Sequence, residues 1–340
     1  MINHSKPYLT SDDISCIQQA LESGNIAKGE KVKSFEHEIA KYVKASSAFA
    51  TGSGTSALTL ALMALGVKGN DEVILPTYVC KNVMDAVNNS GAIPVLCDIG
   101  NEWNMTAGNV KAKISFKTKA IVAVNIYGIR ADIKGIKELG FAVIEDCCQS
   151  LGAKSEGNAF GNVSEITMYS FQATKLLTTG EGGALATNDA AIAARIKELI
   201  VNNAIASPMS DIQAALGLSQ LNKYEIMLKT RKKIALRYCN EIKAARARLP
   251  HSLLDKSIFF RFPILIDDLD FEKTQHDFHA KGVHVRHGVD SLLHRNNGMS
   301  DNDYPNAVRA FNNTLSIPIY PALKESEQDQ IIEEANKILS

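Results

Sequence analysis

The chain has 340 residues, 45% of them apolar and 22% charged, and its 37 lysines and arginines are matched by 37 aspartates and glutamates. Such a composition belongs to an ordinary soluble globular protein, and the even charge balance points away from nucleic acid and from a polybasic membrane anchor. No window approaches the ~18 uninterrupted apolar residues of a transmembrane helix, and Met1-Ile-Asn-His-Ser-Lys-Pro7 carries no apolar secretory core. The six cysteines include the adjacent pair Cys147-Cys148 but no CxxC spacing, so reduced thiols and a cytoplasmic setting are expected. The length exceeds the ~250–300 residues at which single cores stop growing, so two domains are expected.

Ser11-Asp-Asp-Ile14 opens a first helix, and a second runs from Val32 to Val43 with Phe35, Ile39 and Val43 spaced for one face. From Ala48 to Thr187 helical stretches alternate with short apolar runs at Val73–Leu75, Pro94–Cys97, Ala120–Val124, Ala142–Ile144, Ile166–Ser170 and Ala184–Thr187. Runs joined by helices make βαβ units, which predicts an α/β fold with a mostly parallel or mixed sheet between helices. Asn188-Asp189 caps a helix reaching about Val201, and a long helical region follows from Ser210 to about Ala247. The lysines and arginines between 223 and 248 read as a solvated helix face. The tail carries strand-like runs at Ile258–Ile266 and Val283–Val285 and helices at Asp270–Lys281 and Glu325–Leu339, a small α+β domain. The expected division is a large domain over 1–225 and a small one over 226–340.

Three motifs point to one cofactor. In Ser170-Phe-Gln-Ala-Thr-Lys175-Leu-Leu-Thr-Thr-Gly180-Glu-Gly-Gly183 a lone lysine sits among small and turn-forming residues just after a strand. An amine presented on a tight loop at a strand's end suits Schiff-base chemistry, whereas an ordinary surface lysine would have charged neighbours. Val143-Ile-Glu-Asp146 reads as a buried strand ending in a carboxylate, at the edge where open α/β sheets bind ligands. Asp146 there either caps the following segment or holds the ring nitrogen of a pyridine cofactor. Thr51-Gly-Ser53-Gly54-Thr55-Ser-Ala-Leu58 lies at a strand-to-helix turn, where the helix N-terminus and the glycines favour a phosphate; a plain serine N-cap is the alternative. An amine, a ring-nitrogen partner and a phosphate cradle that includes Ser170 are together what pyridoxal 5'-phosphate (PLP) needs.

Over nearly its whole length the chain resembles the PLP-dependent DegT/DnrJ/EryC1/StrS aminotransferases, often called sugar aminotransferases. The blocks that carry the resemblance include Ser53-Gly-Thr-Ser-Ala-Leu58, Gly69-Asn-Asp-Glu-Val-Ile-Leu-Pro76, Pro94-Val-Leu-Cys-Asp98, Ile144-Glu-Asp146 with Gln149, Ser170-Phe171, Lys175, Gly180-Glu-Gly-Gly183, Gln213-Ala-Ala-Leu-Gly217 and Leu315-Ser-Ile-Pro-Ile-Tyr-Pro321. The resemblance implies the fold-type-I transferase architecture and a homodimer with sites at the subunit interface. It implies Lys175 as the Schiff-base lysine, Asp146 as the partner of the pyridine nitrogen, Gln149 over or beside the ring, and Gly54, Thr55 and Ser170 on the phosphate. Its substrates would be an amino-acid donor, by family habit glutamate, and a keto-sugar carried on a nucleotide.

Two positions depart from the family pattern. The ring-stacking aromatic falls on Cys80, so either a thiol covers that ring face or Tyr78 reaches in from two residues away. The segment before Met209-Ser-Asp211 is short, and the family's cross-subunit Asn and Arg align with Ala206 and Pro208, with Asn202 and Asn203 nearby. Those departures leave a non-catalytic PLP-binding or regulatory protein as one alternative. A PLP-dependent keto-sugar dehydratase is another, although relatives with that activity carry a histidine where Lys175 stands. Histidines 279, 284, 287 and 294 lack a carboxylate or cysteine spaced to complete a zinc shell, so no metal is expected. Arg286 and His287 are instead expected at the substrate entrance, because relatives place substrate contacts there.

Overall fold

The computed structural model describes residues 1–155, 158–159, 161, 163–202 and 207–340. Two helices open the chain, α1 (Ser11–Glu22) and α2 (Glu30–Val43), the second burying Val32, Phe35, Ile39 and Val43 as one stripe. Then follow β1 (Ser47–Thr51), α3 (Gly54–Ala64), β2 (Glu72–Pro76), α4 (Lys81–Asn89), β3 (Ile93–Cys97), α5 (Ala107–Lys111), β4 (Thr118–Val124), α6 (Ile133–Lys137) and β5 (Ala142–Asp146). A short hairpin of β6 (Lys154–Ser155) and β7 (Asn158–Ala159) precedes β8 (Ile166–Ser170), β9 (Gly183–Thr187) and α7 (Ala190–Val201).

Seven of these strands form one sheet in the order β1-β9-β8-β5-β4-β2-β3. Strands β8, β5, β4, β2 and β3 are mutually parallel, and β9 runs antiparallel to both β1 and β8. A mostly parallel sheet must be covered on both faces, which is why its strands read as continuous apolar runs. Ala120 to Val124 are all buried, as are Val143 to Asp146.

The helical region after residue 210 is two helices, α8 (Asp211–Asn222) and α9 (Tyr224–Glu241), which meet at Lys223. It stops short of the expected Ala247. The side chain of Asn336, from the C-terminal helix, donates to Glu241 O at 3.0 Å and accepts from Lys243 N–H at 2.5 Å, closing α9 there. The basic residues of this region are not all on a solvated face. Arg231 is buried and donates to Phe259 O (2.9 Å) and Phe260 O (2.7 Å).

The remaining chain forms β10 (Phe262–Leu265), α10 (Phe271–Ala280), β11 (Arg286–His287), α11 (Leu293–Asn296), α12 (Pro305–Asn313), β12 (Thr314–Ile317) and α13 (Glu325–Ile338). Its small antiparallel sheet has the order β10-β12-β11. The strand expected from Ile258 begins only at Phe262, because Phe259 adopts a left-handed φ of 52° that interrupts the extended run. Of Val283–Val285, Val283 makes a bridge to Ile2, so the start of the chain docks on this sheet.

Two buried carboxylates fasten the N-terminal helices to α8. Asp211, its first residue, accepts from the N–H groups of Gly29 (2.8 Å), Lys31 (3.2 Å) and Val32 (3.0 Å), capping α2 from outside. Asp13 of α1 pairs with Lys223 and accepts from Ser219 Oγ at 2.7 Å. Burial works against its ionisation, but Lys223, Ser219 and the Thr10 N–H outweigh that and hold its carboxyl below the usual range. A depressed native pKa contributes stability above the unfolded value of about 3.9, and that stability is lost as pH falls through the native one. Asp13→Asn is therefore expected to cost on the order of 3 kcal/mol at pH 7. Urea unfolding should show the gap from wild type closing below pH ~4; a gap that is the same at pH 3 and pH 7 would contradict this role.

Candidate active site

Thr51, Pro76, Val124, Asp146 and Ser170 are the last residues of β1, β2, β4, β5 and β8, so one edge of the sheet collects the ends of its parallel strands. The start of α3 lies on this edge. Ser53 is its N-cap, with Oγ accepting from Ser56 N–H at 3.1 Å, and the first-turn amides of Gly54 and Thr55 have no acceptor within the helix. Two glycines let this turn settle onto the strands. A Cβ on Gly54 would come within 2.8 Å of Ser170 Cβ, and one on Gly183 within 2.4 Å of Ser53 O. Helix N-terminus and Ser170 hydroxyl thus converge in a cradle suited to an anion. Asn82, in the first turn of α4, reaches Thr55 Oγ1 at 3.4 Å, and Gly52 N–H donates to Ser207 O at 2.7 Å.

Lys175 stands on a loop whose stem is closed by hydrogen bonds. Phe171 N–H donates to Gly182 O and Thr179 N–H to Phe171 O, both at 2.9 Å, while Gly180 takes the left-handed turn at φ 80°. Within the loop Lys175 N–H donates to Gln172 O at 2.8 Å. The ammonium lies 4.8 Å from the centroid of the Phe260 ring, a cation–π contact from the far side of the cleft. Ser170, Lys175, Gln149, Cys148, Ile258 and Phe260 line one cavity.

Asp146 is buried at the end of β5. Burial pushes its carboxyl above the usual range, against the pull of the Cys148 thiol, of the Cys148 N–H (2.8 Å to Oδ1) and of the Lys175 charge. Among the described residues no cation makes an ion pair with it. A protonated ring nitrogen is the kind of partner this carboxylate lacks, so the donor set fits PLP: an amine, a buried anion and a phosphate cradle.

Gln149 Oε1 accepts from Tyr127 N–H at 2.8 Å. Tyr127 has φ 57°, unusual for a bulky residue, and is held there by that bond, by the edge of Trp103 (5.4 Å between centroids) and by its hydroxyl, 2.8 Å from Tyr78 Oη. Tyr78 and Cys80 therefore stand in different settings. Tyr78 is wholly buried and spent on Tyr127, whereas Cys80 is solvent-accessible, ringed by protein atoms and within electrostatic reach of Lys175 and Asp146. Burial pushes the Cys80 thiol up, so it is a neutral group at pH 7.

The other expected positions lie as follows. The half-buried His287 ring is packed between Phe271 (3.4 Å) and Phe311 (4.1 Å), with Nδ1 3.1 Å from Phe311 O. Arg286 is exposed, 3.7 Å from Asp290. Asn203 and Ala206 lie outside the described residues; Asn202 and Pro208 are exposed. Sequence reasoning missed Phe260, Tyr127, Asn82 and Ser207. Asn82, just past Cys80, had a local signal as a polar residue at a helix start; the others arrive through long-range packing.

Comparison with known proteins agrees with this geometry. The model of the DegT/DnrJ/EryC1/StrS aminotransferase family matches residues 7–336. The chain is 30% identical to the spore coat polysaccharide biosynthesis protein SpsC of Bacillus subtilis, over 99% of this chain and 96% of that one. It is 35% identical to the GDP-perosamine synthase of Escherichia coli O157:H7, over 68% of each. Among solved structures, Spr1654 of Streptococcus pneumoniae in its PLP form superposes with a TM-score of 0.91 at 25% identity, over 100% of both chains. The chain belongs to the DegT/DnrJ/EryC1/StrS aminotransferase family, with the fold of the PLP-dependent aminotransferases and PLP as its cofactor.

Proposed function

We propose that this aminotransferase takes an amino group from an amino acid, glutamate in the first instance, and delivers it to a keto-sugar carried on a nucleotide. The observation that carries the site assignment is the convergence at one sheet edge of Ser170 and the start of α3, with buried Asp146 in electrostatic reach of Lys175. The substrate class is supported by the GDP-perosamine synthase and the polysaccharide-biosynthesis relative. A homodimer is supported by the exposed apolar Leu9, Ile14, Leu21 and Ile26 at and around α1. The division at residues 225 and 226 is supported by the two sheets, one drawn from residues before it and the other from residues after it.

When bound, PLP supplies an aldehyde that condenses with amines and a ring that accepts electrons from the bond being broken. Gly54, Thr55 and the Ser170 hydroxyl would hold its phosphate, with Ser53 fixing the turn as N-cap. Asp146 would keep the ring nitrogen protonated; its burial makes that pairing strong, because no water competes for the carboxylate. Gln149 and Cys80 would bound the ring, the thiol standing where the family has an aromatic. Lys175 Nζ removes the proton from the donor's α-carbon and returns one to the acceptor carbon that receives the amine. Lysine suits this task because its flexible stem lets one amine serve both halves of the reaction.

Lys175→Ala should remove the visible absorption band of the PLP-loaded protein and lower amino transfer by roughly 10²–10⁴-fold; a variant that keeps the band would refute the lysine assignment. Asp146→Asn should weaken PLP binding by about 10²-fold or more, since one partner of a buried charge pair is lost. Wild-type affinity in that variant, measured by spectral titration, would remove Asp146 from the site. Glutamate added to the loaded protein should convert PLP to pyridoxamine phosphate, and a protein inert to every amino donor would instead be a binding protein only.

A further inference from the structure

The segment that carries Cys80 into the site is tied at its other end to the C-terminal part of the chain. Leu293 N–H donates to Thr77 O at 3.1 Å, and His294 N–H donates to Thr77 Oγ1 at 3.0 Å. The His294 ring is fully buried and stacked 4.3 Å from Tyr304, with Nδ1 2.8 Å from Thr77 Oγ1 and Nε2 3.0 Å from Asp301 Oδ1. Hydrogen-bond accounting assigns the protons. The Asp301 carboxylate can only accept, so Nε2 carries the ring proton and donates it there; Nδ1 of the neutral ring is then an acceptor, and the Thr77 hydroxyl, which accepts the His294 amide, donates its own proton to it. Asp301 is gripped in turn by Arg295, through Nε at 2.9 Å and a terminal nitrogen at 2.8 Å. Arg295 first, and His294 second, hold its carboxyl well below the usual range.

From Thr77 the connections run on into the site. Tyr78 Oη meets Tyr127 Oη, and Tyr127 N–H is taken by Gln149. Cys80 caps α4, whose Asn82 reaches Thr55 at the cradle. Asn297, just beyond α11, adds a contact to Met84 Sδ at 3.1 Å. None of the chemistry assigned to Lys175 and Asp146 uses His294, yet it is a wholly buried polar ring bonded at both nitrogens. Such a group costs free energy unless every bond is made, so its bonds define one geometry and disfavour others.

We propose that Thr77, His294 and Asp301 form a relay that positions the Thr77–Cys80 segment, and with it the Cys80 thiol and the first turn of α4, against the PLP site. The proposal rests on the reading that Cys80 lines that site. Thr77 and His294 are positioning residues: they touch neither substrate nor cofactor and act through Cys80 and Gln149.

Thr77→Val removes the hydroxyl with little change of shape, and Thr77→Ser keeps it. Alkylation of Cys80 by iodoacetamide, followed by peptide mapping, reads the position of the segment in the apoprotein, and spectral titration reads PLP affinity. Thr77→Val should change the Cys80 alkylation rate at least about fivefold and raise the PLP dissociation constant about tenfold, the effect of one buried hydrogen bond. Thr77→Ser should stay near wild type in both. Asp301→Asn, at the solvent end, should shift both in the same direction and serves if Thr77→Val does not fold. Wild-type alkylation of Cys80 in the folded Thr77→Val apoprotein, or in Asp301→Asn should that variant serve, overturns the relay. Protection of Cys80 by PLP in the wild-type protein tests the site reading separately: without protection that reading falls, and the relay is judged on apoprotein alkylation alone.

Discussion

A carboxylate taken out of water at the end of a central strand sets the terms for everything around it. Asp146 lies between β4 and β8, in register with Val124 and Met168, so apolar strands close over it on both sides. Burial raises its pKa, and the Cys148 thiol and amide and the more distant Lys175 only partly offset that. A fold keeps such a group only where a partner repays its desolvation, and in the proposed site a pyridinium nitrogen is that partner. On that proposal the position of Asp146 dictates the position of the ring. The ring in turn dictates where a lysine and a phosphate cradle must stand.

The rest of the architecture supplies those positions by close packing rather than by charge. Gly54 and Gly183 bring the start of α3 onto the ends of β1 and β8, so the Ser170 hydroxyl and the helix amides face one point. The closed stem at Phe171, Thr179 and Gly182 lifts Lys175 from the sheet edge. The C-terminal part of the chain then covers the cleft. Buried Arg231 holds the Phe259 and Phe260 carbonyls, and the Phe260 ring lies beside the lysine ammonium. His294 holds Thr77, and through it the segment ending in Cys80. The sheet edge that carries Lys175 and Asp146 is thus packed against residues that follow α8.

Most of the sheet was legible because strands buried on both faces must be apolar throughout, and runs such as Ala120–Val124 carry that signal in any context. Lys175, Asp146 and Ser53–Thr55 stood out because of unusual neighbours within a few residues, and the structure brings the strand ends beside them to one edge of the sheet. The C-terminal half was harder. Its strands are short, the run from Ile258 is cut by the left-handed Phe259, and the end of α9 is decided by Asn336, nearly a hundred residues away. The burial of Tyr78 was likewise beyond sequence, since it depends on Tyr127 capturing the Tyr78 hydroxyl. Arg231 looked like any other base on a solvated helix; only the carbonyls it meets show otherwise.

Borohydride reduction of the PLP-loaded protein, followed by peptide mass spectrometry, tests the site most directly. The cofactor should be found fixed to Lys175 and to no other lysine, in a yield that falls sharply in Asp146→Asn. Cofactor fixed to another lysine, or none fixed while the visible band is present, would contradict a site built from Lys175 and a buried Asp146.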